Sequence, residues 1–231
     1  MIEVLLPEGA VASEAFGPDG SGTLYPEEAA LIARAVEIRR EEFTTVRACA
    51  RRAMAALGLP PVPVLPGTRN APQWPAGVVG SMTHCAGYRA AVLARDSDLA
   101  MIGIDAEPDR PLPEGVLESI ALPSELAWAR SGAGVSRVCR DRLLFSAKEA
   151  VYKTWYPLLG TELDFGEARL SFLEESLGKN DAGGFSHGSF TARILRPERG
   201  PDGRMVDEFA GRWLSDRGII VTVITLPPIG A

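Results

Sequence analysis

Residues 138–159 read VCRDRLLFSAKEAVYKTWYPLL, and their spacing predicts a helix. Leu144, Ala147, Val151 and Trp155 recur at steps of three or four, an apolar stripe that must face a core. Pro157 and Gly160 close the helix. The chain then turns β-rich: Ala168–Leu173, Ser189–Arg196, Phe209–Ser215 and Gly218–Leu226 read as strands, and GIIVTVITL at the end is the strongest strand signal of all. Residues 174–188 and 197–207 carry Gly, Asp and Pro and read as loops.

Upstream, residues 7–26 are rich in Gly, Pro, Ser and Glu and read as an irregular lead-in. From Pro26 to Gly58 the text changes to PEEAALIARAVEIRREEFTTVRACARRAMAALG. Pro26 suits the first helical position, Glu27 and Glu28 the first turn, and Gly58 the stop, so this is one long helix or two abutting ones. Residues 58–77 hold six prolines and cannot form a regular element. Tyr88–Arg95 and Leu99–Glu107 are strand candidates, expected to pair as a hairpin through Asp96, Ser97 and Asp98. PDRPLPEG, residues 108–115, is a plausible junction. Runs of helix and runs of strand, without β-α alternation, predict an α+β fold in two halves, residues 1–107 and 108–231.

The 231 residues are 46% hydrophobic and 23% charged, ordinary globular composition. No run of eighteen apolar residues offers a membrane span, and Glu3 without a basic n-region argues against a secretory signal. Three scattered cysteines, Cys49, Cys85 and Cys139, lack metal-ligand or C-x-x-C spacing, which suggests a reduced, cytoplasmic protein. A net charge of −6 speaks against nucleic-acid binding. The charge is uneven, however: Arg34, Arg39, Arg40, Arg47, Arg51 and Arg52 crowd one stretch. That stretch suits a compact polyanion, or else a solvated helix face with ion pairs four residues apart.

Three stretches carry chemistry. In Gly103-Ile104-Asp105-Ala106-Glu107, alternation along a strand sends both acids to one face. They are two solvated acids at a strand end, or a pair whose repulsion a divalent cation relieves. On the helix, Glu149 and Lys153 stand four apart on one face, either a surface pair or a third metal ligand beside cations, Lys148 and Lys153, aimed at phosphate. In Trp74–Cys85 (WPAGVVGSMTHC), Thr83 and His84 offer a hydroxyl and an imidazole to an anion. His84 and Cys85 are strand neighbours on opposite faces, poorly placed as a base and nucleophile.

Taken in order, W-P-x-G-x-x-G-S-x-T-H, G-I-D-A-E and F-S-A-K-E-A-x-Y-K resemble the Sfp-type 4′-phosphopantetheinyl transferases. The nearest branch holds the enterobactin synthetase component D-like and actinobacterial enzymes. The resemblance runs from the Arg-rich helix to the last strand. It implies two similar α+β halves forming a pseudo-dimer, with the active site in the cleft between them. It also implies transfer of the phosphopantetheine arm of coenzyme A to a serine of apo acyl or peptidyl carrier proteins by a cytoplasmic monomer, with magnesium (or manganese) and no nucleic-acid or membrane partner. By the same resemblance Asp105, Glu107 and Glu149 are the metal acids, with Glu107, Glu149 and Lys153 as the catalytic set and Glu149 as base, ligand or both. Arg39, Arg47, Thr83, His84, Lys148 and Lys153 are implied as coenzyme A contacts. Where the family carries a lysine in an x-G-x-K-x-x-P loop, this chain reads Pro66-Gly67-Thr68-Arg69-Asn70-Ala71-Pro72, and Arg69 is the available substitute on the adenine side. A helical wheel puts Arg40, Arg47 and Arg51 on one face and Arg39 about a quarter turn away.

Overall fold

A computed structural model describes residues 1–17, 22–131, 137–180 and 183–228, with side chains left out for 176–180, 183 and 184. The fold is α+β. The chain divides within one strand into two compact units, Ile2–Ile102 joined by the residues from Leu226, and Gly103–Thr225.

The first unit holds strands β1 (Ala10–Phe16), β2 (Val78–Cys85) and β3 (Tyr88–Arg95) and helices α1 (Pro26–Leu31) and α2 (Glu37–Ala56). Its sheet runs β1-β3-β2, antiparallel throughout. Ala53 and Met54 of α2 pack with Ala15, Val78, Ala91 and Leu93 of the sheet and Val64 of the proline-rich loop, all buried. Two helices, not one, follow Pro26, and Gly58 past the end of α2 has φ +70, a left-handed conformation that glycine adopts without strain.

Three expectations change here. Tyr88–Arg95 is β3, but its hairpin partner is β2, with Cys85 opposite Tyr88 and Ala86–Gly87 as the turn. The next strand, β4 (Met101–Pro108), joins the other sheet instead. The turn residues Asp96–Asp98 were a true signal, but a turn does not say which sheet the chain enters next. Residues 10–16, read as irregular, form β1: AVASEAF has little β-propensity, and the ladder to β3 supplies what its side chains do not.

The second unit holds β5 (Ala168–Asn180), β6 (Gly183–Arg199), β7 (Met205–Asp216) and β8 (Ile219–Leu226), with α3 (Val116–Ile120), α4 (Pro123–Ser131) and α5 (Arg140–Leu159). The strand order is β4-β8-β7-β6-β5. All four C-terminal strands are where the sequence put them, yet β5 and β6 run well into the segment read as a loop, as does β7 in 205–207. The long β5–β6 ladder, with a bulge between Glu174 and Ser176, carries polar and glycine residues that pattern alone assigns to loops. The stripe Leu144, Ala147, Val151 and Trp155 of α5 is fully buried, with Trp155 edge-on to Phe209 of β7. Ser146 of α5 and Thr222 of β8 bond at 3.0 Å inside the core. No helix among the described residues is long and apolar enough to cross a membrane.

Candidate active site

The acids predicted from sequence come together in the second unit. β4 carries Asp105 and Glu107 on one face, and α5 presents Glu149 to them. Gly103 makes this possible: a Cβ there would fall on Thr154 Oγ1 and Ala150 O and within 2.9 Å of Thr154 N. Strand and helix therefore touch backbone to backbone two residues before Asp105.

Crowding shows in the protonation equilibria. Burial, and then the neighbouring Asp105, push the Glu107 carboxyl above its ordinary range, with Arg142 and Lys153 pulling the other way. Burial and Asp105 also raise Glu149, with Glu107 adding to it and Lys153 opposing. Two cations temper the repulsion. Lys153 Nζ donates to Asp105 Oδ1 at 2.7 Å, and Arg142 Nη1 donates to Glu107 Oε2 at 2.8 Å. Arg142 is itself fixed, donating also to the carbonyls of Arg110 and Pro111.

Among the described residues no three His, Cys, Asp or Glu side chains form a ready-made metal cage. The donor set nonetheless fits a hard divalent cation, since it is all oxygen, mutually repulsive and only part-neutralised by Lys153 and Arg142. A cation held here would offset both the burial and the mutual repulsion that raise Glu107 and Glu149. Two or three carboxylates leave coordination positions for phosphate oxygens and water.

Lys148 has another environment. Its side chain is 1% exposed and pairs with Glu125 of α4, equally buried, at 2.8 Å. It also donates to the carbonyls of Phe165 at 2.6 Å and Ala168 at 3.1 Å. An ammonium has three protons, and three protein acceptors surround this one. Both oxygens of Glu125 are engaged as well, accepting from the backbone N–H groups of Leu122 and Leu170, each at 2.7 Å. Burial lowers the Lys148 pKa, and the bond to Glu125 opposes that. As folded, Lys148 has no donor to spare for a phosphate. It ties α5 to α4 and to the start of β5, directly behind Glu149. A cavity of about 250 Å³ opens beside Glu149, lined by Tyr152, Leu163, Asp164, Phe165 and Ala168.

The first unit gathers the predicted anion contacts. Arg39 of α2 meets the imidazole Nε2 of His84 on β2, within hydrogen-bond reach. His84 lies directly opposite Arg89 of β3, and Glu42 of α2 stands among the three. Arg47 is buried one turn beyond Phe43, its guanidinium stacked on that ring, and its Nε donates to Val64 O at 3.2 Å. Burial lowers its pKa to about 10, Glu28 works against that, and Arg39 and Arg51 add to it. Arg47 and Arg51 converge on Glu28, whose carboxylate is wholly buried and also accepts from Val64 N and Tyr25 N. The wheel's separation of Arg39 from Arg47 and Arg51 is thus real: the latter two share Glu28, while Arg39 turns to His84. Arg40, from the same wheel face, bonds back to the carbonyls of Ala33 and Ala35. Thr83 is buried, on the opposite face of β2 from His84 by strand alternation. Arg69 is exposed in a 3-10 turn closed by the bridge between Pro66 and Pro72, and Arg69 and Asn70 both have positive φ, 56 and 61.

Arg142, Arg89, Glu42, Glu28 and Glu125 escaped the sequence reading. Arg142 had a signal, since it precedes Glu149 by seven residues and so shares its helix face. Arg89 and Glu125 had none, because their roles depend on long-range partners.

The chain is similar to known proteins over nearly its whole length. A family model described as the 4′-phosphopantetheinyl transferase N-terminal domain matches residues 27–94, and one described as the 4′-phosphopantetheinyl transferase superfamily matches residues 101–198. The chain is 53% identical over 231 residues to 4′-phosphopantetheinyl transferase Svp of Streptomyces mobaraensis, covering 98% of this chain and 89% of that one. It is 46% identical over 225 residues to 4′-phosphopantetheinyl transferase Npt of Nocardia iowensis, covering 97% and 99%. Over 204 residues it is 46% identical to 4′-phosphopantetheinyl transferase PptT of Mycobacterium tuberculosis, covering 88% and 86%.

Proposed function

The chain belongs to the 4′-phosphopantetheinyl transferase superfamily, and from that premise we propose which of its side chains carry the transfer of phosphopantetheine from coenzyme A to a carrier-protein serine. The observation that carries the assignment is the acid group of β4 and α5, where burial, and after it the neighbouring Asp105, raise the carboxyls of Glu107 and Glu149 above their ordinary protonation range.

Asp105, Glu107 and Glu149 would hold magnesium, or manganese in its place, which would supply positive charge against the pyrophosphate. Lys153 exchanges Asp105 for a pyrophosphate oxygen, placing an ammonium where negative charge grows. Glu149 acts as general base as well as ligand: a carboxylate whose pKa is raised by burial takes a proton more readily than an exposed one. It receives the proton of the carrier serine hydroxyl. The serine oxygen bonds to the β-phosphorus, the bond from that phosphorus to the bridging oxygen breaks, and 3′,5′-ADP leaves with the electron pair. Positioning and electrostatics do nearly all of this work.

Arg39 and His84 take the 3′-phosphate of coenzyme A, the buried Arg47 and Thr83 support them from within the unit, and Arg69 stands on the adenine side. The cavity beside Tyr152, Leu163 and Phe165 suits the pantetheine arm, whose methylene and methyl groups alternate with two amides and a hydroxyl and which leads away from the phosphorus attacked. Lys148 keeps Glu149 in place from behind. The protein works as a cytoplasmic monomer.

Manganese binding tests the metal assignment. Electron paramagnetic resonance of Mn²⁺ with the protein and coenzyme A should show a bound ion whose signal is lost in Asp105→Ala and Glu149→Ala. Undiminished Mn²⁺ binding in both variants would remove the acid group from the metal site.

A further inference from the structure

Glu42 occupies an unusual position for a carboxylate. Its Oε2 is 3.8 Å from Arg39 Nη1 and 3.7 Å from His84 Nε2, and its Oε1 is 3.8 Å from Arg89 Nη2. All three distances exceed hydrogen-bond length, so charge alone, without directional bonding, relates Glu42 to these groups. Arg89 is the more telling partner. It is 5% exposed, and its Nε has no hydrogen-bond acceptor. A buried guanidinium N–H without an acceptor is costly, and the cost persists unless something else supplies the acceptor.

We propose that Glu42 is a built-in competitor for the phosphate that this group binds, and that Arg89 is a further phosphate-directed cation behind Arg39 and His84. The inference rests on the reading that Arg39 and His84 receive the 3′-phosphate of coenzyme A. A carboxylate offers two oxygens and one charge to three groups and bonds to none of them. A phosphate is larger, carries about two charges and has oxygens facing several directions, so it can reach all three groups. Its arrival displaces Glu42 toward solvent, where the half-exposed Arg39 side chain leaves a way out. In the free protein Glu42 keeps three neighbouring cationic or hydrogen-bonding groups from repelling one another. It thereby sets the threshold an incoming anion must exceed, and a weakly charged ligand does not exceed it.

The test compares coenzyme A with 3′-dephospho-coenzyme A by isothermal titration calorimetry, in the intact chain and in Glu42→Gln, Arg89→Gln and Arg39→Gln. The intact protein should prefer coenzyme A, and Glu42→Gln should raise that preference roughly three- to tenfold, as expected for removing one negative charge about 6 Å from a dianion in water, with and without salt screening. Arg89→Gln should lower it. If the intact protein shows no preference, the phosphate reading itself fails. If it prefers coenzyme A and Arg39→Gln abolishes the preference, yet Glu42→Gln leaves it unchanged or reduces it, then Glu42 merely positions Arg39 and His84, and the proposal is overturned while the reading stands. Glu42 lies at the surface edge of the group, so its variant folds and decides the matter even where Arg89→Gln does not fold.

Discussion

Replacing Lys148 by methionine separates two accounts of that lysine. Resemblance to the family makes it a coenzyme A contact, whereas the structure gives it a buried ion pair with Glu125 at 2.8 Å and two backbone carbonyls. Methionine fills the same volume without the charge. Removing one partner of a buried pair costs about 3–5 kcal/mol, because the other charge is left uncompensated. Glu125 keeps its bonds from Leu122 and Leu170, so the lower end applies, about 3 kcal/mol. For a chain of this length each kcal/mol moves the melting temperature about 2–4 °C, giving a fall of roughly 6–12 °C by differential scanning fluorimetry. In Glu125→Gln/Lys148→Met neither charge remains, and the double variant should recover part of that loss, with a coupling of at least about 1 kcal/mol. Coenzyme A affinity of the folded Lys148→Met protein should change little. A melting temperature within about 2 °C of the parent, together with a tenfold or greater loss of coenzyme A affinity, would refute the structural role.

Other expectations concern the acids and their supports. Burial, and then neighbouring carboxylates, set the folded pKa values of Glu107 and Glu149 above those of the unfolded chain, so the cost of charging them is absent in acid, where both are protonated, and develops as pH rises from about 4.5 through the raised values. The melting temperature in EDTA should therefore fall across that window, and Glu149→Gln or added Mg²⁺ should lessen the fall. Gly103→Ala forces β4 off α5 and should cost about 1–3 kcal/mol, measured by urea denaturation, while lowering transfer activity through the displaced Asp105. Glu28→Gln weakens the hold on Arg47 and Arg51, and should raise the KM for coenzyme A more than it lowers kcat in steady-state assays.

The fold was legible wherever local pattern and tertiary role coincide. The α5 stripe, the four C-terminal strands and the helices after Pro26 each carry their own periodicity, and each is present. Failures cluster where pairing depends on distant partners. β1 has no strand signal of its own and exists through its ladder to β3. Tyr88–Arg95 and Leu99–Glu107 looked like neighbours because a turn joins them, yet they enter different sheets. The same distinction holds at the site. Strand alternation puts Asp105 and Glu107 on one face and helical spacing puts Glu149 beside Lys153, while the resemblance to the family is what singles these four out. Arg89, by contrast, is one of many arginines until the β2–β3 register sets it opposite His84. The surroundings of Lys148 were hidden for a related reason: spacing gives a side chain's direction, but only packing shows that Glu125, Phe165 and Ala168 accept from its ammonium.

The most direct test of the account is the intact mass of an apo-acyl carrier protein incubated with coenzyme A, Mg²⁺ and this protein. The expected result is a gain of one phosphopantetheine group, abolished by EDTA and in folded Asp105→Ala and Glu149→Ala variants that still bind coenzyme A. Conversion at the parent rate by either variant would contradict the claim that the acids of β4 and α5 carry the reaction.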